Sequence, residues 1–234
     1  MHSWAQISIV VALLLFAGMI VASAVAAQKK RRAAIDALFA ELGLTLIRKP
    51  DMPTREANWA PFAALKELKY GAKGVKWIAT GTINGQTVTA IEHRYTISTG
   101  QSTQQIVHVC IACPCPEHWL MVELRGEHFL HRIADALGSS DLELESEVFN
   151  RRWRISAQDE DHAIMLLTPE VQQLLQNSPN GETWVIGRGW VRLCGRGKVL
   201  KPEGIREALE KPGKLLELVP PELFVPISPD EPQV

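Results

Sequence analysis

An uncharged stretch at the N-terminus sets the first limit on how this chain can fold. No Asp, Glu, Lys or Arg occurs between Ser3 and Gln28, and Ile7 to Ala27 is almost entirely aliphatic or small. At about 1.5 Å per residue, a helix over Ile7–Ala27 spans roughly 30 Å, the thickness of a bilayer hydrocarbon core. A helix also satisfies its own backbone hydrogen bonds in lipid. The stretch therefore predicts one transmembrane helix, with residues 1–28 as the anchor.

Four basic residues, Lys29-Lys30-Arg31-Arg32, follow the apolar stretch directly. The positive-inside rule places such a cluster in the cytoplasm, so we expect the folded domain there. Two other interpretations exist. One is a signal peptide cleaved after Ala22-Ser23-Ala24 or Ala24-Val25-Ala26, but a signal peptide carries its positive charge before the apolar run. The other is a buried core helix.

The charge of the whole chain is balanced, with 25 basic and 26 acidic residues. Nucleic-acid-binding proteins usually carry a strong basic excess, so we expect no nucleic-acid partner. The expected partners are the bilayer, through the N-terminal helix, and an unidentified protein. The basic cluster beside the membrane either attracts anionic headgroups or, in the simpler interpretation, only sets the topology.

Hydrophobic periodicity predicts an α+β domain beyond the anchor. Apolar residues spaced as on one helix face predict a helix over Arg31–Leu42 that Gly43 ends, and Asn84-Gly85 predicts a tight hairpin. We expect a juxtamembrane helical segment at 29–73, an α+β domain at 74–219 and a proline-rich tail at 220–234. The predicted strands are Lys76–Ile83, Gln86–Ile97, Gln104–Ala112, Trp119–Leu124, Val148–Ala157, Thr183–Ile186 and Trp190–Cys194, the last two joined about Gly187-Arg188-Gly189. Pro50–Ala60 is predicted as loop, and the predicted helices are a short one opened by Pro61, Glu127–Leu137, Asp159–Leu167, Pro169–Gln176 and Pro202–Leu218, the last with a break at Pro212.

Two blocks of this domain, Asp141–Ile155 and Asp161–Pro169, carry a recognisable sequence pattern. Together they resemble an uncharacterised family of bacterial membrane-anchored proteins that is known only as a domain of unknown function. The resemblance covers roughly residues 31–220 and is most specific between Phe149 and Pro169. It implies a membrane-anchored α+β domain in the bacterial inner membrane. It implies no activity and no catalytic residues.

The segment Cys110-Ile-Ala-Cys113-Pro-Cys115-Pro-Glu-His118 is the sharpest chemical candidate in the chain. Thiolates two or three residues apart can converge on one Zn²⁺, and His118 supplies a further nitrogen ligand. We therefore predict Cys113, Cys115 and His118 as a possible zinc site, while Cys110 lies in a strand and points away. The alternatives are a redox pair of Cys113 and Cys115, and buried cysteines with no chemistry.

Histidines form a second constellation. His93 and His108 oppose each other if the strands on either side of the polar turn pair closely, which suits a ligand pair, a base or a buried hydrogen-bonded pair. His128 and His131 share one face of a predicted helix and are either metal ligands or a solvated edge.

No nucleotide-binding loop, nucleophile elbow or zinc-protease motif occurs. The leading hypothesis is therefore a non-enzymatic interaction or scaffolding module at the cytoplasmic membrane face. The alternative is a metal- or thiol-dependent enzyme or sensor centred on Cys110–His118. A third hypothesis is a lipid-surface reader that uses Lys29–Arg32 with Arg152 and Arg154.

Overall fold

The computed structural model describes residues 4–98, 100, 102–126, 142–179, 181–196 and 201–226 of the 234. The described residues form one eight-stranded antiparallel sheet with helices packed on it, which confirms the predicted α+β class. The predicted helix Glu127–Leu137, with His128 and His131, lies outside the described residues, and so do residues 227–234 of the predicted tail.

The first helix, α1, runs without interruption from Trp4 to Glu41. Every side chain from Leu13 to Ala27 is exposed, and the helix is long and apolar enough to cross a membrane. Further along, Ile35, Leu38 and Phe39 are buried against the sheet. Gly43, with a φ of 68°, follows the helix end, as the glycine signal predicts. The helix predicted over Arg31–Leu42 is thus the direct continuation of the apolar helix.

The sheet has the strand order β1-β2-β3-β4-β8-β7-β5-β6, and all neighbours are antiparallel. Its strands are β1 Thr45–Arg48, β2 Val75–Ile83, β3 Gln86–Ser98, β4 Thr103–Pro114, β5 Val122–Gly126, β6 Trp153–Ala157, β7 Thr183–Gly187 and β8 Trp190–Gly195. The remaining α-helices are α2 Met52–Ala57, α3 Glu147–Asn150, α4 Glu160–Leu166, α5 Pro169–Gln176 and α6 Pro202–Leu218. Short 3₁₀ helices cover Ala60–Phe62, Gly71–Gly74 and Pro221–Phe224.

Both predicted hairpins are confirmed. Asn84 and Gly85 have φ values of 50° and 81°, which a tight turn between β2 and β3 requires. Between β7 and β8, Gly187 has a φ of 116°, and a Cβ there would lie 2.5 Å from the carbonyl oxygen of Leu120. Only glycine fits that position, because both the dihedral angle and the close backbone exclude a side chain.

The two faces of the sheet bury two separate cores. The first face packs against the end of α1 and against α4, α5 and α6, and it contributes residues such as Trp77, Ile111 and Trp184. The second face is covered by the segment between α2 and β2, through Phe62, Leu65 and Leu68. Because side chains alternate along a strand, β2, β3, β4, β7 and β8 each contribute residues to both cores.

The strand predicted over Val148–Ala157 is wrong at its start. The Ser146 hydroxyl accepts the backbone N–H of Phe149 at 3.3 Å, and this N-cap begins α3. β6 therefore starts only at Trp153. Phe149 and Trp153 are both buried, Phe149 from α3 and Trp153 from the first position of β6.

Several other boundaries also differ from the predictions. The predicted loop Pro50–Ala60 contains α2, because Asp51 caps it by accepting the Thr54 N–H at 3.0 Å. The helix predicted from Pro61 is only a 3₁₀ turn, Ala60–Phe62. The predicted strand Trp119–Leu124 is β5 at Val122–Gly126, and the predicted break at Pro212 is absent from α6, whose buried residues on either side hold it in one helix. The short strand β1, unpredicted, pairs with β2.

Candidate functional site

The three residues of the predicted zinc site occupy different surroundings. Cys113 is fully buried in the core on the helix-covered face, and burial raises the pKa of its thiol to about 12. Cys115 is half-buried beyond the end of β4, and burial likewise raises its thiol pKa to about 12. Both thiols are therefore protonated at neutral pH, whereas a zinc ligand must be a thiolate.

His118 is engaged elsewhere. Its Nε2 lies 2.9 Å from the carbonyl oxygen of Leu223, which also accepts the Trp119 indole N–H at 2.6 Å. These bonds fasten the 3₁₀ helix Pro221–Phe224 to the sheet. Within the described residues, no three His, Cys, Asp or Glu side chains are grouped to hold a metal ion. The zinc site stays a prediction, which metal analysis of the purified protein decides: less than about a tenth of an equivalent of zinc argues against it.

The predicted opposition of His93 and His108 is confirmed, since they are direct partners across β3 and β4. His93 Nε2 lies 3.0 Å from the Gly71 carbonyl oxygen, so this nitrogen carries the proton and donates it. Burial lowers the pKa of His93. Burial, with the nearby Arg196 guanidinium, lowers the pKa of His108 to about 3. Both imidazoles are therefore neutral at physiological pH.

Beside His108 lies a pair of buried thiols that the sequence analysis did not bring together. Cys110 and Cys194 are direct partners across β4 and β8, with their sulfur atoms 2.6 Å apart. Cys194 Sγ also lies 3.4 Å from His108 Nδ1. Burial holds the pKa of Cys110 well above its ordinary value. As expected, Cys110 faces away from Cys113: its thiol lies in the second core, whereas Cys113 lies in the first.

A cavity opens where α1 meets the sheet edge, and its lining is strongly basic. It has a volume of about 400 Å³. Seven of its residues are cationic and one, Glu92, is anionic. The lining residues are Gln28, Arg31, Arg32, Ile35, Arg48, Lys49, Arg55, Lys76, Trp77, Glu92 and Arg94.

The floor of this junction cavity is built by strand register. Arg48, Trp77 and Glu92 are neighbours across β1, β2 and β3, so they share the face that α1 covers. Trp77 is buried and packs edge-on against Phe39 of α1, with ring centroids 5.1 Å apart. The cavity is thus formed by the same contacts that fix the helix to the sheet.

Ion pairs fasten the rim of the cavity. Glu92 is only 1% exposed, and its carboxylate accepts Arg31 at 3.0 Å and Arg94 at 2.6 Å. Arg48 pairs with Asp36 of α1 at 2.5 Å and donates to the Arg32 carbonyl at 3.2 Å. Charge-assisted bonds of this kind are stronger than neutral ones, so they orient the arginines firmly.

Sequence reasoning identified only one part of this site. Lys29–Arg32 was recognised as a topology signal, whereas Arg48, Lys49, Lys76 and Arg94 come from three strands and their ends, far apart in the chain. Only the pairing of β1 with β2 and of β2 with β3 collects them. The signal that could have found them is the Asn84-Gly85 turn, because it fixes which residues of β2 and β3 lie opposite one another.

No family model and no curated protein matches this chain. Among solved structures, it is similar to the mycobacterial trehalose monomycolate transport factor A, TtfA, with 14% sequence identity and a TM-score of 0.49. That similarity covers 83% of this chain and 97% of the TtfA chain. At this identity and TM-score, the similarity carries no argument about the present protein. The resemblance to a family of bacterial membrane-anchored proteins stays a prediction.

Proposed function

We propose that this protein is a non-enzymatic interaction module that α1 fixes to the cytoplasmic face of the bacterial inner membrane. The observation that carries the proposal is the continuity of α1 from its exposed apolar stretch into the core of the domain. An anchor joined by a flexible linker would let the domain diffuse away from the bilayer surface. A continuous helix holds one face of the domain against the headgroups.

The dimensions of α1 support this arrangement. At about 1.5 Å per residue, the apolar stretch uses roughly 30 Å of the helix and leaves roughly 20 Å to pack on the sheet. Ile35, Leu38 and Phe39 are 1%, 5% and 0% exposed, so the packed part is a component of the core. Helix and domain therefore move as one body, and a partner meets the domain at a fixed height above the membrane.

The chemistry of the described residues favours binding over catalysis. Burial raises the pKa of the thiols of Cys110, Cys113 and the half-buried Cys115, and it lowers the pKa of the imidazoles of His93 and His108. Each group is thus held in its neutral form by burial. Nucleophilic and acid–base catalysts instead need an accessible group whose pKa suits the reaction.

Membrane insertion and orientation are tested together in the full chain. Alkaline carbonate should leave the protein in the membrane pellet. Cysteines introduced as Ser3→Cys and Glu203→Cys report the two sides, because Glu203 is exposed on α6. In intact spheroplasts, an impermeant maleimide should label Ser3→Cys, and it should label Glu203→Cys only after permeabilisation. The reverse pattern would contradict the cytoplasmic placement.

The interaction role has its own test. Affinity purification of the full chain from detergent-solubilised membranes should recover a specific protein in near-stoichiometric yield. Recovery of the bait alone, repeated in a second mild detergent, would count against a protein partner. It would leave the anchoring result unaffected.

A further inference from the structure

We propose that the junction cavity binds the phosphate of an anionic phospholipid headgroup. This inference rests on the proposed function, because it requires α1 to span the bilayer. It goes further by naming the ligand class and the residues that recognise it. Three properties of the cavity favour this ligand: its uncompensated charge, the preorganisation of its donors and its depth relative to the membrane.

The first property is an excess of positive charge that the protein does not neutralise. Glu92 is committed to Arg31 and Arg94, and Asp36 is committed to Arg48. In the described part of the chain, no carboxylate pairs with Arg32, Lys49 or Lys76. Cations that share one concave surface repel one another, so a bound anion stabilises the arrangement.

The second property is that guanidinium groups around the cavity are already oriented. Arg55 donates from Nε to the Pro50 carbonyl at 2.7 Å and from Nη1 to the Lys73 carbonyl at 3.3 Å. Its position is thus fixed by backbone carbonyls, and it forms no ion pair in the described residues, although the Asp51 carboxylate is near enough to interact with its charge. Guanidinium groups suit phosphate because their fork of donors matches phosphate oxygens, and lysines add point charges.

The third property is depth, which favours a lipid over a free phosphate. Gln28 and Arg31 line the cavity, and the exposed apolar stretch of α1 ends at Ala27. Four residues of helix correspond to about 6 Å. A headgroup layer is roughly 5–8 Å thick on each side of the hydrocarbon core, so the membrane-side rim of the cavity, at Gln28 and Arg31, lies at the level of lipid phosphates. Its volume of about 400 Å³ is in the usual range for small-ligand sites.

Lys49 and Lys76 provide the cleanest perturbation. Both side chains are exposed, line the cavity and take no part in an ion pair of the described residues. Neutralising them therefore removes ligand contacts without breaking an internal bond. The matched control is Lys69→Gln with Lys201→Gln, two exposed lysines outside the cavity lining, which removes the same total charge.

The experiment measures lipid selectivity in the full-length protein. The chain is reconstituted in nanodiscs of equal phosphatidylglycerol and phosphatidylcholine, and native mass spectrometry counts the lipids that stay bound. We expect about tenfold enrichment of phosphatidylglycerol, given the attraction of each juxtamembrane cation to anionic lipid. Lys49→Gln/Lys76→Gln should bring the ratio close to one, and the control pair should leave it unchanged.

The outcomes separate this inference from the one on which it rests. Extraction of the protein by carbonate would overturn both. A membrane-inserted protein with no preference for phosphatidylglycerol, or with equal losses in the Lys49/Lys76 and control variants, would overturn the headgroup site alone. Displacement of the bound phosphatidylglycerol by about 10 mM inorganic phosphate would identify a free-phosphate site and refute the lipid assignment.

Discussion

The packing of Phe39 against Trp77 connects α1 to the sheet, so Phe39→Ala is the most informative single substitution. Phe39 is fully buried and lies edge-on to Trp77 at 5.1 Å, with the ring planes at 67°. Truncating a buried Phe to Ala typically lowers the free energy of unfolding by about 3–5 kcal/mol. Part of that loss is the aromatic pair, which contributes about 0.5–1.5 kcal/mol beyond its buried area.

The assay is thermal unfolding of the full-length chain in one mild detergent, followed by near-ultraviolet circular dichroism. For a domain of this size, each 1 kcal/mol shifts the midpoint by about 2–4 °C, so Phe39→Ala should lower it by roughly 6–20 °C. Phe16→Ala is the matched control, because Phe16 lies in the apolar stretch of the same helix and its side chain is 60% exposed. It should change the midpoint by less than about 1 °C.

Two results would refute the reasoning. If Phe39→Ala melts within about 2 °C of the wild type, the end of α1 is not part of the cooperative core. If Phe16→Ala destabilises the protein as much as Phe39→Ala, the apolar half of α1 packs on the domain and is not free to enter lipid. Either result would remove the observation that carries the proposed function.

Three further predictions concern groups with shifted pKa values or their immediate neighbours. The pKa of His108 is about 3 in the folded state and about 6.5 in the unfolded state, so between pH 6.5 and pH 3 only the unfolded chain binds a proton at this imidazole. The unfolding free energy should therefore fall by about 2 kcal/mol from pH 7 to pH 5, and thermal melts over this pH range should show a smaller fall for His108→Gln. Cys113 and Cys115, with thiol pKa values of about 12 against an ordinary 9, should react about a thousandfold more slowly with iodoacetamide at pH 8 than in guanidinium; equal rates would contradict their burial. In Gly74→Ala, the new Cβ would lie 2.1 Å from the His93 ring, so thermal melts should show a loss of about 1–3 kcal/mol, whereas Gly126→Ala, with open space around it, is the control.

Elements specified by neighbouring residues were predictable from the sequence. The Asn84-Gly85 turn needs two positive φ values that few residue pairs supply, and it sets the register of β2 against β3. The polar turn before Gln104 allowed the opposition of His93 and His108 to be predicted in the same way. These predictions succeeded because the deciding interactions span only a few residues.

Errors arose where two local patterns bury the same residues. Phe149, Trp153 and Ile155 satisfy an alternating strand, but the Ser146 cap makes the first of these positions helical. The side-chain hydroxyl at Ser146 decides between the two, and a capping serine is a weaker signal than apolar alternation. The position of β8 between β4 and β7 was equally inaccessible, because non-local pairing leaves little trace in a single sequence.

The junction cavity could not be predicted from the sequence, because its residues are far apart in the chain and only the fold brings them together. Each of Arg48, Lys49, Lys76 and Arg94 taken alone is an ordinary charged residue at a strand or its end. Their meaning depends on one geometric fact, that α1 continues unbroken from its apolar stretch onto the three strands that carry them. A break in the helix near Gln28 would let the domain rotate relative to the apolar stretch. The cations of the strands would then have no fixed position relative to the headgroups. The continuity of the helix is therefore what makes the basic cluster and the strand cations one candidate binding site. The pair Lys29→Gly/Lys30→Gly, which weakens the helix, should lower phosphatidylglycerol selectivity more than the helix-compatible pair Lys29→Gln/Lys30→Gln, which removes the same charge, and neither residue lines the cavity.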